Sequence, residues 1–338
     1  MAFNRLTKLR GNWRKESTTA PSLLTKSCHD IDILLWLLCS TPPNASTPAH
    51  IPASVTSSGS LQFFNKTRKP TDAGNATNCF SCPIEHSCKY SAKKIYLGKE
   101  LKGLATGNTD WPVDIVLPEI EDYIATGGMS GGEKALRSKL EEDYSASTPV
   151  SEISAKNWFG RCVWEADNDV CDDQVVTMTW DNDPISIELN GNEKTLVGRG
   201  AKTAIFHMVA HSKRICERFS HIYGSDGEIY ADSSTITVED FNTGTKKIYK
   251  PHLAGGGHGG GDAGLARQFI LAIDDVKNHG AAVADAQKQH VDCSLEEVIR
   301  SHAMVFAAED ARKEKKVLDF PTWWKEEVES RLLRTSTA

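Results

Sequence analysis

The sequence is short of the features that would class it quickly. No stretch reaches the roughly 20 apolar residues a helix needs to span a bilayer; Ile31–Cys39 is about half that. Basic charge is not in excess, since 39 Lys and Arg against 45 Asp and Glu leave a net charge of −6. That balance argues against a nucleic acid or an anionic membrane as the main partner. The opening MAFNRLTKLR is basic and free of acids, as some transit peptides are, but it is short and has no secretory signal. Nine cysteines is an odd count, and the reading expects reduced thiols in a cytoplasmic protein. Sequons at Asn44, Asn65 and Asn75 carry little weight in that setting.

A nucleotide-binding fingerprint is also lacking. The one G-x-G-x-x-G match, Gly255–Gly260 within GGGHGGGD, is met trivially by a run of glycines and follows a strand meander rather than opening a βαβ unit. GGMSGGEK lacks the Gly-Lys-Ser/Thr that closes a phosphate loop.

What is present begins with PSLLTKSCHDIDILLWLLC (Pro21–Cys39). At about 100° per residue, Thr25, His29 and Asp32 share one stripe of a helix, while Leu24, Ile31, Leu34, Leu35 and Leu38 lie opposite and should bury. Lys26 stands one turn from His29 and Asp30. A histidine flanked by carboxylates and a lysine can have its pKa and tautomer set for proton transfer. An ordinary amphipathic helix with a wet face explains the same spacing.

Further along, 338 residues allow one large domain or two ordinary ones. A strand is expected near Val55 after a Pro/Ser/Thr-rich loop. Residues 97–157, polar and Gly/Ser-rich around TGGMSGGEK, read as a surface insertion, with a charged and helical stretch over Glu133–Tyr144. From Arg161 onward DQVVTMTW, TAIFHMVA, RFSHIYGSDGEIYAD and STITVEDFNTGTKKIYK read as an antiparallel meander. Asp262 is placed as the N-cap of a helix whose Leu265, Phe269, Ala272, Ile273 and Val276 form one apolar face. Ser294 with Glu297 forms a capping box for a helix through about Arg312. Two tryptophans in VLDFPTWWKEEVESRLL should pack the tail back onto the body. The order is helix, strands, helices: α+β, not doubly wound.

Two loops could hold ligands. Cys79-x-x-Cys82 with Cys88 and the intervening His86 has partial zinc-ligand spacing, with Cys162 or Cys171 as substitutes; buried thiols are the alternative. The glycine run lets backbone approach a ligand closely and would present His258; a turn-rich loop needs the same glycines.

RGNWR (Arg10–Arg14), LLTKSCHDIDILLWLL, the C-x-x-C-P-I-E-x-x-C-x-Y-S-A-K-K-I-Y run, GRCVWEADNDVCDDQVV, IYGSDGEI and HGGGDAGLARQF occur in that order. Together they resemble the C-terminal domain of the Gfo/Idh/MocA oxidoreductase family (glucose–fructose oxidoreductase and inositol dehydrogenase relatives), from about Arg10 to Phe320. The resemblance implies a large, mostly antiparallel open sheet with helices on one face, the open face serving as the subunit interface of a homo-oligomer. It implies a leading remnant over 1–14, a substrate and oligomerisation domain over 15–325 and a tail over 326–338.

It also implies NAD- or NADP-dependent oxidation or reduction of a sugar, polyol or related small molecule. His29 would assist proton transfer, Asp32 match an acidic position that follows it, and His258 and Asp262 approach the pocket. Thr25 stands where the family has an aspartate, and Lys26 would supply the polar contact instead. The family's N-terminal nucleotide-binding half has no counterpart here, so the chain alone is expected to be inactive. The resemblance leaves open an NAD-recycling glycosidase of the same family, or a non-catalytic fragment dimerising with a full-length paralogue. The enzymatic reading requires His29 to project into a cavity.

Overall fold

The structure, a computed structural model, describes residues 11–39, 48–183, 185–189, 193–197, 199–212, 217–253, 255 and 257–335. Ten strands run β1 (Ser54–Ser60), β2 (Asp173–Trp180), β3 (Ile185–Leu189), β4 (Glu193–Val197), β5 (Lys202–Val209), β6 (Phe219–Tyr223), β7 (Gly227–Asp232), β8 (Ile236–Asp240), β9 (Thr245–Tyr249) and β10 (Leu318–Asp319). Among the described residues the helices are α1 (Cys28–Cys39), α2 (Ile120–Glu141), α3 (Val150–Ala155), α4 (Gly261–Asn278), α5 (Val283–Ala286), α6 (Leu295–Glu314), α7 (Phe320–Trp324) and α8 (Ser330–Thr335). None of them is long and apolar enough to cross a membrane.

The chain is α+β, and every strand pairing among the named strands is antiparallel. In place of one large sheet there are two four-stranded sheets, ordered β10-β1-β2-β5 and β6-β7-β8-β9, and a separate β3–β4 hairpin. The first sheet is the core. Alternation along β2 buries Gln174, Val176, Met178 and Trp180 on one face. Its register sets Met178 between Val55 and Ala204, and Val176 opposite Phe206. The small side chains Ala303, Ala307, Ala308 and Ala311 let α6 lie close on this face beside α1.

Gln174 interrupts that apolar row; its amide nitrogen joins a buried polar chain, while its Oε1 is buried with no hydrogen-bond partner among the described residues. Its Nε2 donates to Glu309 Oε1 (2.8 Å), Arg312 Nε donates to Glu309 Oε2 (2.8 Å), and Arg312 continues to Glu16 (3.0 Å). The capping box at Ser294 and Glu297 opens α6, as the spacing predicts. Trp323 and Trp324 pack against the same core, and Trp323 Nε1 donates to Asp310 (3.0 Å).

The stretch 97–157 carries α2 and α3, with residues 121–130 exposed except for a half-buried Ile124. Its Gly-rich part lies inside α2, which kinks at Gly128 where φ is 65°. Leu104, Val113, Val116, Ile120, Leu136 and Leu140 join Phe64, Tyr90, Tyr96 and Trp164 in a second core. Short 3₁₀ and π turns carry the chain from Lys66 to Thr106.

In that region Lys69 Nζ donates to Glu165 Oε1 (2.7 Å) and to the Ala76 carbonyl (2.7 Å). Burial alone would raise the Glu165 carboxyl, but the hydrogen bond and charge of Lys69, with Lys66 beyond it, hold it below the ordinary glutamate value. A depressed acid contributes stability above its unfolded pKa, about 4.3, and loses it as pH falls through the folded value. Urea unfolding between about pH 7 and about pH 3 should therefore cost the wild type more stability than Lys69→Met. Parallel pH profiles for the two proteins would contradict this assignment.

One expectation for α4 is corrected. Gly260, with φ of 96°, is its N-cap and makes no side-chain cap bond, so Asp262 sits in the first turn instead. Of that apolar face only Ala272 is buried; Leu265, Phe269 and Ile273 are exposed. The β6–β9 sheet likewise buries no residue.

Candidate functional site

The segment from Ser22 to Cys39 is helical throughout, but its first turn is wide. Leu23–Ser27 forms a π turn that passes directly into α1. Leu23, Ser27, Ile31, Leu35 and Cys39, spaced every four residues, are buried against the first core, with Leu24, Leu34 and Leu38 half-buried beside them. The opposite face exposes His29, Asp32, Ile33, Trp36 and Leu37. Trp36 is 54% exposed and Ile33 52%, so this face is not an ordinary polar one.

The expected stripe is therefore partly assembled. His29 and Asp32 share the exposed face, whereas Thr25 is half-buried and its hydroxyl donates to the Pro21 carbonyl (3.3 Å). Lys26 is half-buried with its ammonium 5.6 Å from the ring centroid of Trp13, a cation–π contact.

Asp30, next to His29, is the side chain that periodicity undervalues. It is buried and accepts from Arg218 Nε at 2.6 Å, which ties α1 to the residue before β6. Its Oδ2 is buried with no hydrogen-bond partner among the described residues. Burial pushes the Asp30 carboxyl up, against the hydrogen bond and charge of Arg218 and the smaller pull of His29.

Three cavities matter. One of about 420 Å³ opens between α1 and the start of α6, lined by Asp32, Leu35, Trp36, Cys39, Ser294, Glu297 and Arg300 among others. Its rim is acidic: burial, then Glu297, Asp32 and Asp292, raise the Cys293 thiol. Asp32 reaches this cavity, whereas Thr25, Lys26 and His29 do not line it. A larger apolar groove of about 680 Å³ separates α6 from the C-terminal helices, between Phe306, His302, Trp323 and Leu332. The third, about 20 Å³, is lined by Cys79, Cys82, Cys88 and Cys162. His86 is exposed and does not line it, and Cys171 is buried in the first core.

The glycine loop contributes less to a site than its composition suggests. Gly257–Gly260 forms a 3₁₀ turn, and the side chain of His258 lies outside the described residues. Asp262 is exposed at the start of α4 and lines none of the three cavities. At the other end of α4, Asp274, Asp275 and His279 bring ligand atoms within 4.8 Å of one another, and His290 bonds Asp275 at 2.7 Å.

The described chain thus places His29 and Asp32 on the exposed face of α1, Lys26 against Trp13 and Asp30 on Arg218, and His29 lines none of the three cavities above. Searches against family models, curated proteins and solved structures give no match for the chain.

Proposed function

We propose that the chain is the substrate-side half of an NAD(P)-dependent oxidoreductase of the Gfo/Idh/MocA type, acting on a sugar or polyol once a nucleotide-binding body covers α1. The observation that supports this most is the exposed face of α1. Ile33, Trp36 and Leu37 continue directly from His29 and Asp32 along it, and an apolar stripe left in water marks a surface that another body covers. Covering it would enclose His29, turning an exposed imidazole into one wall of a cleft. There the imidazole accepts the hydroxyl proton of the alcohol, Lys26 holds the oxygen by hydrogen bond, and the Asp30–Arg218 pair fixes the backbone beneath. NAD or NADP, bound by the other body, supplies the hydride acceptor.

The apolar and aromatic side chains of β6–β9 extend the same reasoning to oligomerisation. Phe219, Tyr223 and Ile248, on one face, are 70%, 73% and 62% exposed, a surface suited to a second copy of the chain.

The chain alone should bind polyols weakly and reduce no nicotinamide. Ligand-detected NMR should show His29→Ala weakening polyol binding roughly fivefold, the worth of one hydrogen bond. Nicotinamide reduction by the isolated chain, or polyol binding indifferent to His29→Ala, would overturn the reading. A second reading, a non-catalytic chain that docks on a full-length relative through the β6–β9 face, is favoured by the absence of His29 from the cavities described above. It predicts no polyol binding, with association abolished by Phe219→Glu.

A further inference from the structure

We propose that Cys79, Cys82, Cys88 and Cys162 form a structural zinc site that staples the second core. The inference is independent of any catalytic reading.

These four thiols line one cavity, although Cys162 lies far from the other three in sequence. An isolated antiparallel bridge, Asn78↔Arg161, brings the two stretches together. Cys79 N donates to the Gly160 carbonyl (2.9 Å) and Cys162 N to the Thr77 carbonyl (2.8 Å), so the two cysteines flank the bridge. The Asn78 side chain pins the turn, accepting from Phe80 N (2.8 Å) and donating to the Leu140 carbonyl (3.0 Å). The positions of these backbones are therefore set by hydrogen bonds that do not depend on a metal.

Backbone donors face two of the sulfurs: Ala92 N donates to Cys79 Sγ and Tyr90 N to Cys88 Sγ, each at 3.4 Å. Four thiolates around Zn²⁺ carry a net charge of −2. Cations stand on the adjacent rings, Lys93 and Arg137 over Phe80 and Lys89 over Tyr90, with Lys93 also paired to Glu85 (2.8 Å), which lines the same cavity.

Size and softness choose the ion. A cavity of about 20 Å³ has room for one small ion, and an all-sulfur shell selects a soft or borderline ion over calcium or magnesium. Zinc at about 2.3 Å from each sulfur sets the sulfurs roughly 3.8 Å apart. The thiols surround the cavity more widely than this, since the trio of ligand atoms that already lies within 4.8 Å among the described residues is Asp274, Asp275 and His279. Binding the ion would require the thiols to turn inward about χ1, exchanging the Ala92 and Tyr90 N–H contacts for the metal. Four S–H protons leave to solvent, and no electrons are transferred.

Full-length chain purified under reducing conditions from zinc-supplemented medium should carry about one zinc per chain by elemental mass spectrometry. Cys79→Ser and Cys162→Ser should lose it, while His86→Ala and Cys171→Ser should keep it. Because cysteine variants can fail to fold, the unmodified reduced chain should also be titrated with Co²⁺, which should give intense sulfur-to-cobalt charge-transfer absorption and tetrahedral ligand-field bands. No zinc together with no thiolate–cobalt absorption in the unmodified chain would overturn the proposal. So would zinc that survives Cys162→Ser and leaves with His86→Ala, or zinc that leaves with Asp275→Ala.

Discussion

Asp172→Ala should destabilise the chain by on the order of 4 kcal/mol, enough to consume much of a typical domain's margin. Asp172 is wholly buried, and its carboxylate accepts three successive backbone N–H groups, those of Gln62 (2.7 Å), Phe63 (2.8 Å) and Phe64 (2.8 Å). Its own backbone closes the end of the first sheet, donating to the Ser60 carbonyl and accepting from Ala210 N. The carboxylate thus turns the chain as it leaves β1 and aims Phe64 into the second core, against Tyr90 at 5.3 Å between centroids.

Alanine leaves those three donors without their acceptor in a place water reaches poorly, and each costs about 1–3 kcal/mol when unmade. Asp172→Asn keeps one acceptor oxygen but turns an N–H₂ toward the remaining donors, so it should cost about half as much. Urea unfolding should show the midpoint falling with little change in slope. A loss below about 1 kcal/mol for Asp172→Ala would mean that the turn holds without its carboxylate.

Asp172 lies in a motif quoted for its family likeness, yet nothing in its spacing marks a buried anchor. Its partners are more than a hundred residues away, and only the pairing of β1 with β2 brings them near. The same distinction runs through the fold. Strands whose alternation is strict, such as β2, and a helix that opens on its own capping box, such as α6, are legible because the signal is local. The glycines of α2 suggest a loop because their helix cost is local, whereas the burial of Leu136 and Leu140 that outweighs it is not. The apolar stripe of α4 marks a helix correctly and leaves its burial open, since periodicity says which face wants cover and not whether the described chain provides it.

At the candidate site the split is alike. The facing of His29 and Asp32 follows from 3.6-residue geometry. The burial of Asp30 follows from Arg218, 188 residues on, and the grouping of Cys162 with Cys79 follows from one bridge.

Gly160→Ala should be the most damaging single-methyl change in the second core. A Cβ at Gly160 would lie 1.6 Å from the Leu140 carbonyl oxygen, 2.7 Å from its carbon and 2.9 Å from Asn78 Nδ2. The first two are backbone at the end of α2, beside a Leu140 side chain that is itself fully buried. No rotamer change relieves such a clash; α2 and the bridge strand must separate by roughly 2 Å. That movement breaks the Asn78 bond to Leu140 and strains the Cys79–Gly160 rung, so overpacking is compounded by lost buried hydrogen bonds. The expected cost exceeds about 4 kcal/mol, with soluble yield falling accordingly.

Gly127→Ala is the matched control. It adds the same methyl within α2, where nothing lies within 4 Å, and should stabilise by about 0.5–1 kcal/mol through helix propensity. If the two variants unfold at similar urea concentrations, the close approach of residue 160 to the end of α2 is not part of the folded state. The bridge that carries Cys79 and Cys162 would then lose its anchor as well.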